Sequence, residues 1–209
     1  MANFKATLAA EAFNGTVGVR DNANYEANQV GGVTVDVTNG GTRNTAEGDT
    51  YSNIERFLLT NIGGEVDRFI GSNADETVHG FGGSNVMSGG GGNDALYAIS
   101  ALGITVTEDG RNVFNGGTGI DTMIGGEGDD RFDIAAGDAM SGEIYRGNGG
   151  FDTIRLISGG TGGTVDLTGA DVLSIERFEF DTDLTLFVNS TQIATSEFGV
   201  TPDGTGGSV

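Results

Sequence analysis

The sequence has no cysteine, no tryptophan and only one proline in 209 residues. Without cysteine, the chain cannot form disulfides, thiolate zinc sites or a cysteine nucleophile. Basic residues are also scarce, because ten Lys and Arg stand against 30 Asp and Glu, which gives a net charge of -20. An acidic excess of this size disfavours nucleic acid and anionic lipid as partners.

Several functional signatures are missing as well. No apolar run has the length of a membrane span, and the opening residues, MANFKATLAAEAFNGT, lack the hydrophobic stretch of a signal peptide. The hydrolase motifs HExxH and GxSxG are absent, and the carboxylates recur at a period instead of forming the unique pair of a glycosidase. The sequence therefore predicts a chain with no membrane insertion and no catalytic activity of its own.

What the chain has in excess is glycine, with 39 residues. The stretch from Ile62 to Asp133 divides without a gap into eight nine-residue units. They read IGGEVDRFI, GSNADETVH, GFGGSNVMS, GGGGNDALY, AISALGITV, TEDGRNVFN, GGTGIDTMI and GGEGDDRFD. The eighth position is apolar in all units but one: Phe69, Val78, Met87, Leu96, Thr105, Phe114, Met123 and Phe132. The sixth position carries an acid or an amide with one exception: Asp67, Glu76, Asn85, Asp94, Gly103, Asn112, Asp121 and Asp130.

These two columns predict a two-sided coil, with two units in each full turn. Glycine at the first and fourth positions suits a tight corner, and the last three positions suit a short strand whose eighth residue points inward. Successive turns of a parallel coil stack about 4.8 Å apart, so the sixth-position carboxylates meet in ladders. Two such charges repel by about 1 kcal/mol even in water, so cations are expected between the rungs. A hard dication that takes six or more oxygens fits best.

The units resemble the RTX (repeats-in-toxin) nonapeptide GGxGxDxUx, in which U is apolar. The best matches are GGGGNDALY, GGTGIDTMI, GGEGDDRFD and the later GNGGFDTIR, which begins at Gly147. The resemblance implies an all-β fold, a right-handed parallel β-roll (a β-solenoid) that holds several Ca²⁺ ions. It also implies a secreted or cell-surface protein, because proteins of this kind are usually exported by a type I apparatus that reads a C-terminal signal.

The calcium ligands that the resemblance implies combine two stacked corners. One corner supplies the carbonyls of positions 2 and 4 and its sixth side chain; the next supplies the carbonyls of positions 1 and 3 and its own sixth side chain. If every unit forms half a turn, one edge has four sites. The first two pair Ser72, Ala74 and Glu76 with Gly89, Gly91 and Asp94, and Gly90, Gly92 and Asp94 with Thr107, Asp109 and Asn112. The next two pair Glu108, Gly110 and Asn112 with Gly125, Glu127 and Asp130, and Gly126, Gly128 and Asp130 with Gly147, Gly149 and Asp152. The other edge pairs Gly63, Glu65 and Asp67 with Gly80, Gly82 and Asn85, is interrupted at Gly103, and resumes with Gly117, Gly119, Asp121 and Asp138.

Two irregular segments affect this register. The unit from Ala98 to Val106 fails in both columns, as a strand slipped by one residue or a looped-out segment would. The segment from Ile134 to Arg146 is one unit plus four residues long. If one enlarged corner absorbs the extra residues, Asp138 falls on the edge of Asp121 and Asp152 on the edge of Asp130.

The flanks predict caps around the roll. We expect an N-terminal cap with leading strands over residues 1–61, the roll over 62–155, and C-terminal capping strands over 156–209 that end in a linker-like tail from Thr201. Gly15 to Arg20 has the pattern of a strand. A strand of VDV or VDL type, followed by an IERF strand, occurs once before the nonapeptides and once after them.

Three functions fit these observations. The first is a non-catalytic extracellular module that folds on binding calcium. The second is an accessory module for an alginate-like polysaccharide, with Arg111, Arg131 and Arg155 along one strip. The third is a structural subunit of an adhesin or surface layer, whose partners are other copies of itself. The single histidine, His79, is expected to be an ordinary surface residue at an outward ninth position.

Overall fold

A computed structural model describes residues 2–5, 11–26, 31–41, 46, 48–99, 110–157, 163–180, 184–194 and 199–202. Nearly all regular structure in these ranges is β-strand, with a single short helix, α1, at Ser190–Ala194. No helix among the described residues is long and apolar enough to cross a membrane.

The strands, numbered in chain order, form two eight-stranded parallel sheets. The first sheet contains β1 (Asn3–Lys5), β3 (Asn22–Asn24), β6 (Arg56–Leu58), β8 (Thr77–His79), β10 (Ala95–Tyr97), β12 (Thr122–Ile124), β14 (Ile144–Arg146) and β17 (Asp171–Leu173). The second contains β4 (Thr34–Asp36), β7 (Arg68–Ile70), β9 (Val86–Gly91), β11 (Val113–Thr118), β13 (Arg131–Ala135), β15 (Thr153–Ile157), β18 (Arg177–Phe180) and β20 (Gly199–Pro202). From β6 to β15 the chain alternates between the sheets. The parallel β-roll is therefore confirmed.

The core is a double row of side chains between the two sheets. Every described eighth-position residue of the nonapeptides is at most 2% exposed: Phe69, Val78, Met87, Leu96, Phe114, Met123 and Phe132. The row continues beyond the repeats through residues such as Phe57, Tyr145, Ile154 and Phe178. Period-two alternation explains this arrangement, because each three-residue strand sends only its central side chain inward.

The ends of the coil have a third side. Near the N-terminus, β2 (Ala12–Asn14) pairs with β5 (Thr50–Ser52), and near the C-terminus, β16 (Gly163–Asp166) pairs with β19 (Leu184–Phe187). The two VD–IERF segments each span three successive sides, but they start on different ones. The first runs from the second sheet through the third side to the first sheet, whereas the second begins on the third side. Both long sheets run unbroken through the predicted boundaries at 61 and 155, so the division into roll and caps stays a prediction about sequence units.

Two predictions about the flanks are wrong. Gly15 to Arg20 is a corner and not a strand, because this segment turns the chain from β2 into β3. Thr201 and Pro202 are not linker, since their backbone belongs to β20 and pairs with β18. The remainder of the predicted tail, residues 203–209, lies outside the described residues.

The register across the failing unit decides how the corners stack. Strand partners in successive turns of the nonapeptides are 18 residues apart, as for Phe69 and Met87, but Met87 pairs with Phe114, which is 27 residues further on. The nine extra residues therefore add no half turn to the register of the described strands, as the looped-out alternative predicts. Gly103 and Thr105 themselves lie outside the described residues.

Candidate metal centre

The corners of the roll form two edges that differ in chemistry. In the corners that lead into β8, β10, β12 and β14 of the first sheet, the sixth position is always a carboxylate, and we call these residues the acid edge: Glu76, Asp94, Asp121 and Glu143. The corners that lead into the second sheet form the mixed edge: Asp67, Asn85, Asn112, Asp130 and Asp152. The residues divide in this way because the unit between β10 and β11 adds no half turn to the register. Asn112 therefore stacks on Asn85 and not on Asp94.

Along both edges, a sixth-position side chain accepts a hydrogen bond from the backbone of the preceding turn. On the acid edge, Glu76 N–H donates to Asp94 Oδ1 and Asp94 N–H donates to Asp121 Oδ1, both at 2.8 Å. On the mixed edge, Asn85 N–H donates to Asn112 Oδ1 at 2.9 Å and Asp130 N–H donates to Asp152 Oδ1 at 2.8 Å. One oxygen of each of these carboxylates is thus engaged within the fold, which leaves the second oxygen, and the side-chain nitrogen of Asn112, to be accounted for.

On the mixed edge, neighbouring N–H groups satisfy most of these remaining atoms. Asp67 accepts hydrogen bonds from the backbone N–H of Val33 (2.6 Å) and of Thr60 (2.8 Å), and from the Thr60 hydroxyl. The Asn112 amide donates to Asp130 Oδ1 at 3.0 Å. Asp130 Oδ2 accepts the Gly126 N–H at 2.7 Å. Carboxylates held in this way are largely compensated without a cation.

The two aspartates of the acid edge are not fully compensated, whereas Glu76 accepts hydrogen bonds from Ser72 and Glu143 accepts one from the Tyr145 hydroxyl. Asp94 and Asp121 are 2% and 1% exposed, and the Oδ2 atom of each has no hydrogen-bond partner. Asp152, at the far end of the mixed edge, shares both properties. A buried anionic oxygen without a partner is strongly unfavourable. These three atoms therefore mark where the fold needs a counter-charge.

The pKa values of these carboxyls are raised, which is consistent with the missing counter-charge. Burial, together with the charges of Glu76 and Asp121, raises the pKa of Asp94 to about 8. Burial raises the pKa of Asp152 to about 7 and that of Glu143 to about 7, and it also raises the pKa of Asp121. Without a cation, each buried carboxyl is thus held towards its neutral form.

The glycines at the first position bring carbonyl oxygens up to these carboxylates. A Cβ atom on Gly89 would lie within 3 Å of both Asp94 Oδ2 and the Gly116 carbonyl oxygen. A Cβ on Gly125 would lie equally close to Asp130 Oδ2 and the Gly147 carbonyl oxygen. Only glycine lets a carboxylate and a carbonyl of the next turn approach the same point.

This donor set fits Ca²⁺. Among the described residues, no three His, Cys, Asp or Glu side chains are grouped to hold a metal, so any ion must draw on backbone carbonyls as well as carboxylates. Hard oxygen donors in a flexible number are what Ca²⁺ takes, whereas zinc and copper sites require nitrogen or sulfur.

Comparison with known families supports the same assignment. Residues 62–98 and 106–138, about a third of the chain, match the model of the RTX calcium-binding nonapeptide repeat in four copies. The chain carries RTX calcium-binding repeats. The match is interrupted over 99–105, within the looped-out unit. No curated protein matches the chain significantly.

The structure brings together most of the predicted pairs of RTX corners. Glu76 stacks on Asp94, Asp67 on Asn85 (3.1 Å from N to Oδ1), Asn112 on Asp130, and Asp130 on Asp152. Asp138 lies near Asp121, as the enlarged corner predicts, and its charge helps to raise the pKa of Asp121. The role of these residues as calcium ligands stays a prediction.

One predicted pair of corners is wrong. Asp94 does not face Asn112, because β10 pairs directly with β12 and Asp94 therefore meets Asp121. In the same way, Asn85 continues to Asn112, and Gly103 does not interrupt that edge. Thr107, Glu108 and Asp109, which were assigned to neighbouring sites, lie outside the described residues.

Sequence reasoning missed three acids that extend the edges. Glu143 follows Asp121, and Glu55 and Glu176, both from IERF segments, stand at opposite ends of the ladders. Each lies two residues before an inward aromatic side chain, namely Tyr145, Phe57 and Phe178. That spacing between the sixth and eighth positions was the available signal, but these segments lack the glycines of the repeat.

The other predicted surface features are only partly present. His79 is not a surface residue, since it is 3% exposed and its ring stacks 5.1 Å from that of Tyr97. Burial lowers its pKa to about 4. Arg131 is bound to Asp133 at 2.8 Å, and Arg111 lies in a corner and not on the sheet face, so the proposed strip of three arginines does not form.

Proposed function

We propose that this chain is an extracellular calcium-binding module that folds when its RTX corners take up Ca²⁺ after export, and that it has no catalytic activity of its own. The observation that carries the proposal is the set of buried, unpartnered carboxylate oxygens on Asp94, Asp121 and Asp152. Each lies at the sixth position of a nonapeptide, where the RTX pattern has its calcium ligand.

The observed stacking supports one principal site. The carbonyls of Gly90 and Gly92 and the Asp94 side chain would hold the ion together with the next corner of the acid edge, which supplies the carbonyls of Gly116 and Thr118 and the Asp121 side chain. Further sites would use Glu76 with Asp94, Asp121 with Asp138, and Asp130 with Asp152, each completed by backbone carbonyls.

Folding and calcium are linked through charge. With a net charge of -20, closing the roll brings carboxylates together in a partly dehydrated edge, which opposes folding. Bound Ca²⁺ supplies the positive charge that offsets this repulsion. Since sites of this kind respond to extracellular calcium, around 10⁻⁴ to 10⁻³ M, the chain would stay open in the cytosol and close outside the cell.

Calcium titration tests the proposal. At a pH above the range in which the buried carboxyls take up protons, we expect the chelated protein to lack the far-ultraviolet circular dichroism of β-structure. It should gain this signal as free calcium rises from micromolar to millimolar, with several ions counted by calorimetry. Magnesium is the control, and we expect it to substitute poorly because it demands octahedral geometry and retains its waters. A spectrum that is the same in chelator and in calcium would contradict the proposal.

A further inference from the structure

Beyond the last nonapeptide, the mixed edge ends in a corner of a different kind. The six-residue corner 147–152 stacks on the three-residue corner 174–176, which begins the IERF segment. Glu176 Oε2 accepts the N–H of Asp152 at 2.7 Å, so this glutamate takes the place of a sixth-position side chain in the next turn. The ladder thus continues one rung past the repeats.

The other IERF segment builds the same corner at the opposite end of the roll. Asn53 and Ser174, which open the two corners, have positive φ angles of 52° and 54°. Glu55 Oε2 accepts the N–H of Asp21 at 2.9 Å, in the way that Glu176 receives Asp152. The two corners therefore share a positive φ angle at their first residue and a glutamate that accepts the N–H of an aspartate, although they join different sides of the coil.

The two aspartates, Asp21 and Asp152, differ in the hydrogen-bond partners of their carboxylate oxygens. At the N-terminal end, Asp21 Oδ1 accepts the N–H of Ala2, and Asp21 Oδ2 accepts that of Thr16. At the C-terminal end, Asp152 is fully buried and its Oδ2 has no hydrogen-bond partner. Protein donors thus compensate Asp21, whereas Asp152 still needs a positive partner.

The space around Asp152 Oδ2 repeats the geometry of the nonapeptide sites. A Cβ on Gly147 would lie within 3 Å of both Asp152 Oδ2 and the carbonyl oxygen of Ser174. Gly89 has the same relation to Asp94 Oδ2 and the Gly116 carbonyl oxygen on the acid edge. A carboxylate and a carbonyl of the next turn therefore converge here too, although no glycine-rich corner follows.

We propose that Asp152 Oδ2, the Ser174 carbonyl and the Glu176 carboxylate hold one additional Ca²⁺ ion outside the nonapeptide array, and that the Asp21–Glu55 corner holds none. The inference rests on the proposed function, because it assumes that the array itself binds calcium. Its consequence is that the ion links the last repeat to the turn that contains β17 and β18, in addition to the strand pairing between them.

The test replaces each glutamate by its amide. Glutamine keeps an oxygen to accept the aspartate N–H and removes only the negative charge. In equilibrium dialysis at a calcium concentration that just saturates the parent, we expect Glu176→Gln to bind one ion fewer, and Glu55→Gln to bind the same number as the parent. Glu176→Asp, which keeps the charge and shortens its reach, serves as the second variant and should bind this ion more weakly.

The possible outcomes separate the two proposals. Equal ion counts in the parent and all variants would overturn the additional site and leave the proposed function standing. An equal loss in Glu176→Gln and Glu55→Gln would also overturn it, because the shared backbone, and not the unpartnered oxygen, would then select the ion. A parent that binds no calcium would refute the proposed function itself.

Discussion

Residues at the same position of the repeat have different tasks. Asp67 and Asp121 both stand sixth in their units, and both are 1% exposed. Asp67 is bound to Val33 and Thr60, so it acts as a structural acceptor. Asp121 has an oxygen without a partner and lies close to Asp138. Position in the repeat alone therefore does not identify a calcium ligand.

Alanine substitutions should separate these tasks. We expect Asp121→Ala to reduce the slope of unfolding free energy against the logarithm of calcium concentration, because that slope counts the ions bound on folding. At a hundredfold excess over Kd, each lost ion forfeits about 2.7 kcal/mol. Asp67→Ala should lower stability by about 1 to 3 kcal/mol at every calcium concentration and leave the slope unchanged, since it leaves buried donors unpaired. Equal slopes in the two variants would contradict this assignment. Urea denaturation at a series of calcium concentrations provides the measurement.

The residue pattern predicted the apolar eighth position and the acidic sixth position, but not which sixth-position residues share an edge of the roll. An apolar eighth position and an acidic sixth position need only local alternation, and both are visible in the sequence. Whether Asn112 meets Asp94 or Asn85 depends on the path of residues 98–106, which fail in both columns and so carry no register of their own. Hydrogen bonds such as that from Thr60 to Asp67 link residues on the same corner that no period connects, which is why the compensated acids could not be recognised.

Among the elements, the strands are all short, and it is the corners between them that hold the candidate calcium ligands. Predicting the roll was possible because three-residue strands follow from alternation and glycine spacing. The third side at each end was not predictable in the same way, since β2, β5, β16 and β19 lack the nonapeptide period. The repetition of the IERF segment was visible in the sequence. Its role at the ends of the carboxylate ladders could not be predicted, because the sequence does not show which turn of the coil each copy adjoins.

First-position glycines give a test of the corner geometry. Gly89→Ala should disrupt the acid edge, because the added methyl group would overlap both Asp94 Oδ2 and the Gly116 carbonyl oxygen. We expect a higher calcium midpoint for folding and a weaker ion at this corner. Gly64→Ala is the control, since its φ of 76° strains alanine by about 1 to 2 kcal/mol while no atom lies within 4 Å of the new Cβ. If both variants raise the calcium midpoint equally, close approach at Gly89 is not what shapes the site.

Taken as a whole, the roll is a fold whose buried carboxylates need counter-charge. The 30 acidic residues of the chain repel one another, but carboxyls in model peptides titrate near pH 4. Burial raises the pKa of Asp94 to about 8, and it raises the pKa values of Glu143 and Asp152 to about 7. Groups whose pKa is higher in the folded state take up protons on folding. The stability of the calcium-free fold should therefore rise as the pH falls from about 8 towards 4.

Protons should thus partly replace calcium in closing the roll. The stability gap between the calcium-bound and calcium-free protein is expected to narrow as the pH falls from 8 to 6, because protons and Ca²⁺ compete for the same carboxylates. Asp94→Asn, which removes the group with the highest of these pKa values, should shift the proton-linked transition to lower pH. Asp36→Asn, on the outer face of the second sheet, changes the net charge equally and should leave the transition in place.

The measurement that tests the central claim most directly is far-ultraviolet circular dichroism of the calcium-free chain between pH 9 and pH 5.5, with sedimentation to confirm that it stays monomeric. We expect β-structure to increase without calcium as the pH falls below about 8, because the buried carboxyls then take up protons. A chain that gains no β-structure throughout this range would contradict the claim that buried, uncompensated carboxylates control the folding of the roll.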